Sequence, residues 1–187
     1  GLALNTGYSF VAYATNAAGT TYTTPVSTFS TPPPITVANA NDSGAGSLRD
    51  ALTNVTNGGV VAFDSAFFAT PRTITLTGGA LPAVSGKSFT IIGPGADKVT
   101  VDAANNSTIL SIASGAGVQI SGITFTRGTN PTGHGGAFTN QGSLTLIRCA
   151  VTNNSAAKDA GAILSTGVGS FLTVHKCVFS GNVSDTS

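Results

Sequence analysis

Charge is what this sequence has least of. Of 187 residues, 8 are Lys or Arg and 7 are acidic; every acid is Asp, and Glu, Met and Trp do not occur. Charged residues make up 8% of the chain, against about 25% in an average globular protein. A coiled coil or helical bundle needs Glu, Lys, Leu and Ala in quantity, so both are excluded. The net charge of +1 leaves no basic excess to neutralise phosphates, which excludes nucleic acid as a partner. Two cysteines are too few for a disulfide scaffold. No apolar run approaches about 18 residues, so no membrane span is expected. Disorder is excluded as well, because 41% of the residues are hydrophobic and the net charge is small.

What remains is rich in β-formers and turn formers. Thr outnumbers even Gly, of which there are 24, and Val, Ile and Phe recur throughout. That combination implies short strands joined by many tight turns. The length suits one domain, or one and a fraction, and is enough to bury a core. The chain starts at Gly1 with neither Met nor a signal-peptide pattern, and is expected to be a processed or excised piece of a longer secreted protein.

The grammar changes at Thr31-Pro32-Pro33-Pro34, a stiff extended spacer; residues 32–36 are the expected linker. Before it, Tyr8, Phe10 and Ala12 share one face by period two, Asn16 to Gly19 is a turn, and a second strand is expected near Tyr22 to Phe29. Residues 1–31 therefore read as a β-hairpin. Leu2-x-Leu4-Asn5-Thr6-x-Tyr8 resembles the corner before the penultimate strand of a fibronectin type III domain, which implies that Tyr8 is the corner tyrosine. A complete sandwich has about seven strands and most are missing here. A lone hairpin is marginal in water, so this one is expected to pack on something else.

After the linker the chain repeats. Val118-x-Ile120-x-x-Ile123-x-Phe125, Leu144-x-Leu146-x-x-Cys149-x-Val151 and Leu172-x-Val174-x-x-Cys177-x-Phe179 align at offsets of 26 and 28. Shorter matched strands lie between them, at Gly136–Asn140 and Gly161–Ser165. Less regular copies occur at Val60–Phe63, Thr73–Thr77, Phe89–Ile92, Val99–Asp102 and Ile109–Ile112. Period-two strands repeating at this spacing predict a solenoid over residues 37–187, each turn stacking on the next at about 4.8 Å. Equivalent residues then form ladders: Cys149 over Cys177, and Asn154 over Asn182, whose amides would satisfy one another at the turns.

Asn41-Asp42-Ser43-Gly44-Ala45-Gly46-Ser47-Leu48-Arg49-Asp50-Ala51-Leu52, Ile74-Thr-Leu76-Thr-Gly-Gly, Ile91-Ile92-Gly93-Pro94-Gly95-Ala96, Ile120-Ser-Gly-Ile123-Thr-Phe125 and Cys149-Ala-Val151-Thr-Asn153-Asn154-Ser155-Ala156 resemble a large family of bacterial secreted right-handed parallel β-helix proteins. These are the repeats of giant surface proteins, adhesins and polymorphic outer-membrane-type proteins, and the likeness covers residues 35 to 184. It implies an all-β fold, a right-handed parallel β-helix whose first turn is covered by an amphipathic helix near residues 47–55. The sequence agrees, with Leu48, Leu52 and Val55 on one helical face.

Chemistry is sparse. Gly133-His134-Gly135-Gly136 superficially resembles the Gly-His-Gly of polygalacturonases, but no Asp pair accompanies His134 in the sequence, and a loop turn is expected. Glycoside hydrolysis needs two carboxylates about 5–10 Å apart. Folding across a turn would bring Asp97 and Asp102 near each other, but Asp97 is expected to serve the Gly-Ala-Asp-Lys turn or to pair with Lys98 on the surface. Calcium demands 6–8 oxygen ligands, which isolated Asp residues do not supply. Arg148 and Lys176 match at an offset of 28, with Arg127 at a comparable place, and would form a short basic ladder on the outer face. Cys149 and Cys177 occupy inward positions and are expected to be buried thiols, close enough in a stack for a bridge. No catalytic residue, metal or cofactor is expected.

Exposed strand edges invite pairing. The 47–55 helix caps one end of the helix, whereas Asn182 to Ser187 follow a strand directly. Together with the orphan hairpin this implies either a truncated fragment or subunits joined head to tail, a heterologous contact that builds a filament. The sequence therefore reads as a non-catalytic extracellular structural protein, a filament subunit or surface stalk or adhesin, whose partners are copies of itself and, secondarily, glycans or a cell surface. Candidate assembly residues are Tyr8, Phe10, Tyr13, Tyr22, Phe29, Phe171 and Phe179. The alternative is a polysaccharide-binding or polysaccharide-degrading β-helix.

Overall fold

A computed structural model describes residues 2–3 and 5–185. Leu4 of the corner motif, and Thr186 and Ser187 of the tail, lie outside the described residues. The chain divides into two units at Pro34.

The first unit is a long two-stranded ribbon. Strands β1 (Gly7–Phe10) and β2 (Tyr13–Asn16) run out, and β3 (Gly19–Tyr22) and β4 (Ser27–Ser30) return. β1 pairs antiparallel with β4, and β2 with β3. The turn is local: Asn16 Oδ1 accepts from the Ala18 N–H at 2.8 Å, and Gly19 takes φ +129°. The return strand therefore starts at Gly19, earlier than the period-two pattern places it. It breaks at Thr23–Val26, where Pro25 has no N–H for the ladder. Thr23 bridges the break, its N–H donating to Ala12 O at 2.8 Å and its hydroxyl accepting from the Ala12 N–H at 3.1 Å.

The second unit is an all-β parallel solenoid of about six turns. It opens with β5 (Ile35–Val37), whose first two residues fall in the stretch expected as linker, and helix α1 (Leu48–Asn54). The early turns contribute β6 (Val60–Phe63), β7 (Arg72–Thr75), β8 (Ser88–Ile92), β9 (Val99–Asp102) and β10 (Leu110–Ile112). The next turn holds β11 (Gly117–Ser121), β12 (Thr124–Thr126), β13 (Thr129–Asn130) and β14 (Phe138–Asn140). It is followed by β15 (Ser143–Ile147), β16 (Ala150–Thr152), β17 (Ser155–Ala156) and β18 (Ile163–Ser165), then by β19 (Phe171–His175), β20 (Val178–Ser180) and β21 (Val183–Ser184).

Four parallel sheets result. The largest runs β5-β6-β8-β11-β15-β19; the second runs β7-β9-β12-β16-β20; β10-β14-β18 and β13-β17-β21 complete the wall. Register follows the hydrophobic rows: Ile91, Ile120, Leu146 and Val174 align, as do Val101, Phe125, Val151 and Phe179. Alternate residues point inward, so a slip by one would expose a whole row.

The corners explain the spacing of the repeat. β11 and β12 are joined by two residues, Gly122-Ile123; the equivalents are Arg148-Cys149 and Lys176-Cys177. The first residue of each pair has positive φ and the second returns its side chain to the interior. At the following corner Arg127, Asn153 and Gly181 take positive φ. Arg127 is thus not part of the Arg148–Lys176 ladder; it belongs to the next corner, five residues farther along its turn than Gly122.

Helix α1 is capped by Ser47, whose hydroxyl accepts from the Asp50 N–H at 3.1 Å, and it ends against Val55. Leu48, Ala51, Leu52 and Val55 are buried and close the interior beside β5. Lys87 Nζ donates to the terminal carbonyls of Leu52 and Val55 at 2.9 and 2.8 Å, satisfying groups that a helix end leaves open.

Candidate functional site

The last described turn breaks the burial pattern of the turns before it. Leu144 and Leu146 are fully buried, but Leu172 and Val174, which stack directly on them, are 41% and 45% exposed. Val151 is fully buried and its neighbour Phe179 is 42% exposed. Val178 and Val183 are exposed as well, but they pair in register with Ala150 and Ser155 and so stand on the outer face, outside these interior rows. β18, β19, β20 and β21 are edge strands among the described residues, so unpaired backbone groups rim this apolar surface. Phe171 sits differently. It pairs in register with outward-facing Ser143, which places it on the outer face of the wall rather than in the interior row.

The ribbon of the first unit is apolar on exposed faces. Tyr8 stacks on Phe29 at 5.5 Å, and Phe10 meets the Phe29 ring edge-on at 6.3 Å. Tyr13 and Tyr22 form a cross-strand pair at 6.0 Å and are the most exposed aromatics of the ribbon. The Tyr8 hydroxyl accepts from the Ala3 N–H at 2.7 Å, five residues upstream.

Two ladders join the last turns. Asn154, fully buried, accepts at Oδ1 from the Gly128 N–H at 2.7 Å and donates from Nδ2 to Asn182 Oδ1 at 2.8 Å. Asn182 Oδ1 also accepts from the Asn154 N–H, and its Nδ2 donates to Val151 O at 2.8 Å. Each side-chain amide thus satisfies backbone in the preceding turn. Cys149 and Cys177 are free thiols in the same relation: the Cys149 N–H points at Cys177 Sγ, 3.3 Å away. Burial pushes the Cys149 thiol above its ordinary pKa, while Cys177 is only half-buried. The thiolate is the reactive form, so a maleimide is expected to label Cys177 first and to leave Cys149 unmodified in the folded chain. Peptide mapping after brief labelling checks this; equal modification of both would contradict it.

Two acid–arginine pairs are tied into the scaffold. Asp42 Oδ1 lies 2.6 Å from Arg49 Nη2, and Arg49 also donates to the carbonyls of Gly79 and Ala80, clamping the capping helix to a later turn. Asp42 Oδ2 accepts from the Gly78 N–H at 2.7 Å. Asp102 is buried and holds Arg127 of the next turn through two hydrogen bonds. Burial alone would raise both carboxyls. The hydrogen bonds and charges of Arg49 and Arg127, with the N–H groups of Gly78 and Ala104, outweigh it and hold both below the ordinary 3.8. The folded state therefore binds these protons more weakly than the unfolded state. The stability they contribute is complete above the ordinary value and is lost as pH falls through the lowered ones. Denaturant unfolding between pH 5 and about pH 2 should show this loss, and Asp102→Asn should flatten the profile.

Asp97 pairs with Lys98 at 3.4 Å, on the surface. His134 has an acid beside it that the linear sequence hides: Asp159, one turn later, places Oδ2 3.2 Å from Nδ1 and its N–H at the same distance. Among the described residues no three of His, Cys, Asp and Glu come together as a metal site needs, and no helix is long and apolar enough to cross a membrane. Arg148 and Lys176 are exposed at successive copies of one corner. No family model, curated protein or solved structure matches the chain.

Proposed function

We propose that the chain is a non-catalytic extracellular structural protein whose copies join end to end, the ribbon of one subunit covering the last turn of the next. The observation that carries this reading is the exposure of Leu172, Val174 and Phe179 on a surface rimmed by open strand edges. In the preceding turn the same rows are fully buried, so this surface continues the interior rows and suits a further apolar layer. The ribbon supplies a complementary partner, with Phe10, Tyr13, Tyr22 and Phe29 exposed and two open edges for strand addition. A net charge of +1 sets up little repulsion between copies. Resemblance to secreted right-handed β-helix repeats favours a place at the cell surface, as a filament, stalk or adhesin. The Tyr8–Ala3 hydrogen bond is the kind of backbone tie that a fibronectin type III corner makes.

Negative-stain electron microscopy of the full chain tests the reading. Filaments of uniform width are expected. Val174→Glu and Phe10→Glu should each abolish them, because either change buries a charge at the contact. Thr100→Glu, on the outer wall, should leave them intact. Filaments that persist in both interface variants, or none from the unaltered chain, would overturn it.

A further inference from the structure

The corner between the two larger sheets changes its chemistry toward the last described turn. The residue that returns to the interior there is Ile123, fully buried, then Cys149, 2% exposed, then Cys177, half-buried. These are the two cysteines of the chain, and both fall where the interior row loses its cover.

Their relation is fixed from both sides. β15 pairs with β19 in register up to Ile147 and His175, and β16 pairs with β20 from Ala150 and Val178. Within the corner the Arg148 N–H donates to His175 O and the Val178 N–H to Cys149 O, both at 2.9 Å. The two corners therefore stack. Parallel stacking sets their Cα atoms about 4.8 Å apart, inside the range of roughly 4.4–6.8 Å that a disulfide spans. Cys177 Sγ sits 3.3 Å from the Cys149 backbone nitrogen, so one side chain already reaches the other residue. The thiols donate only to the carbonyls of Ile120, Ile147 and His175, at 3.6, 3.5 and 3.4 Å, weak bonds whose loss costs little.

Access to the two sulfurs is unequal. Cys177 lies in the last described turn, and Cys149 is buried one turn deeper. An electrophile in solution meets Cys177 first, and Cys149 is reached through the Cys177 sulfur.

We infer that Cys149 and Cys177 form a redox staple, closed by a low-molecular-weight disulfide such as oxidised glutathione, that locks the last described turn to the buried turn before it. The Cys177 thiolate attacks one sulfur of the glutathione disulfide; that S–S bond breaks and one glutathione thiolate leaves. The Cys149 thiolate then attacks Cys177 Sγ and displaces the second. The protein gives up two thiol protons and two electrons, and one glutathione disulfide becomes two thiols. Burial holds the Cys149 thiol above its ordinary pKa, so closure is the slower step and quickens as rising pH fills the thiolate. The closed loop contains β16, β17, β18 and β19, and the bond ties down the turn with the least burial to hold it. No contact between copies enters, so the staple stands whether or not subunits join end to end.

The test is incubation of the dilute full chain with oxidised glutathione, followed by intact mass and free-thiol count. Both thiols should disappear with the loss of two hydrogens in mass, faster at about pH 8.5 than at about pH 7. Amide exchange in β19 and β20 should then slow by about tenfold or more, and reduction should reverse it. Cys149→Ala should stop with one glutathione held on Cys177, and Cys177→Ala should leave Cys149 a free thiol. Glutathione that stays on Cys177 of the unaltered chain would overturn the inference. So would two thiols that persist, chains linked in pairs through Cys177, or a bridge that leaves exchange in the last turn unchanged.

Discussion

Phe125→Ala should be the most damaging single truncation in the solenoid, lowering unfolding free energy by about 3–5 kcal/mol. Phe125 lies in the middle of the stack, 2% exposed, and meets the buried Phe138 ring edge-on at 4.9 Å. Its row continues to Val101 on one side and Val151 on the other, both buried. Backbone hydrogen bonds to both neighbouring turns hold the wall apart, so the cavity cannot collapse fully. Phe179→Ala on the same row is the internal comparison. That side chain is 42% exposed, and its loss should cost well under half as much in the unassembled chain. Urea unfolding of the two variants checks the ranking; equal costs would contradict the assignment of an open last turn.

Asn154→Ala is expected to cost about 2–4 kcal/mol, more than a surface Asn would. The substitution leaves the Gly128 N–H without its acceptor and removes one donor from Asn182 Oδ1, at a side chain that is fully buried. Asn154→Leu should be no better, because the apolar group cannot satisfy Gly128. Asn182→Ala should cost less, since its own position is half-exposed in the last turn. If all three variants unfolded like the parent chain, the amide ladder would have no part in holding the turns.

The parallel solenoid was legible because its cause is periodic. A strand that buries every second residue, repeated every 26 to 28 residues, leaves little choice of fold, and Leu144 over Leu172 and Cys149 over Cys177 follow directly from that offset. The capping helix was legible for a local reason, since Ser47 and the Leu48, Leu52 and Val55 stripe mark it without reference to the rest of the chain. What could not be read were contacts whose register depends on loop lengths. Arg127 looks equivalent to Arg148 in the linear text, yet it stands one corner later and is held by Asp102. Asp159 reaches His134 only because the loops after β13 and β17 stack. The Asp42–Arg49 clamp spans irregular early turns, where the repeat is weakest. The break at Thr23–Val26 carried a signal in Pro25, which cannot donate to the ladder, and the reading of one strand near Tyr22 to Phe29 passed over it. The orientation of exposed aromatics was the least legible: Phe171 and Phe179 are alike in sequence, but one faces outward and the other continues an interior row.

Sedimentation velocity of the full chain, over a wide range of concentrations, tests the central claim most directly. End-to-end joining predicts a concentration-dependent series of species at multiples of 18.4 kDa, shifted back to the single-subunit species by Val174→Glu. A single species of 18.4 kDa at every concentration would contradict it.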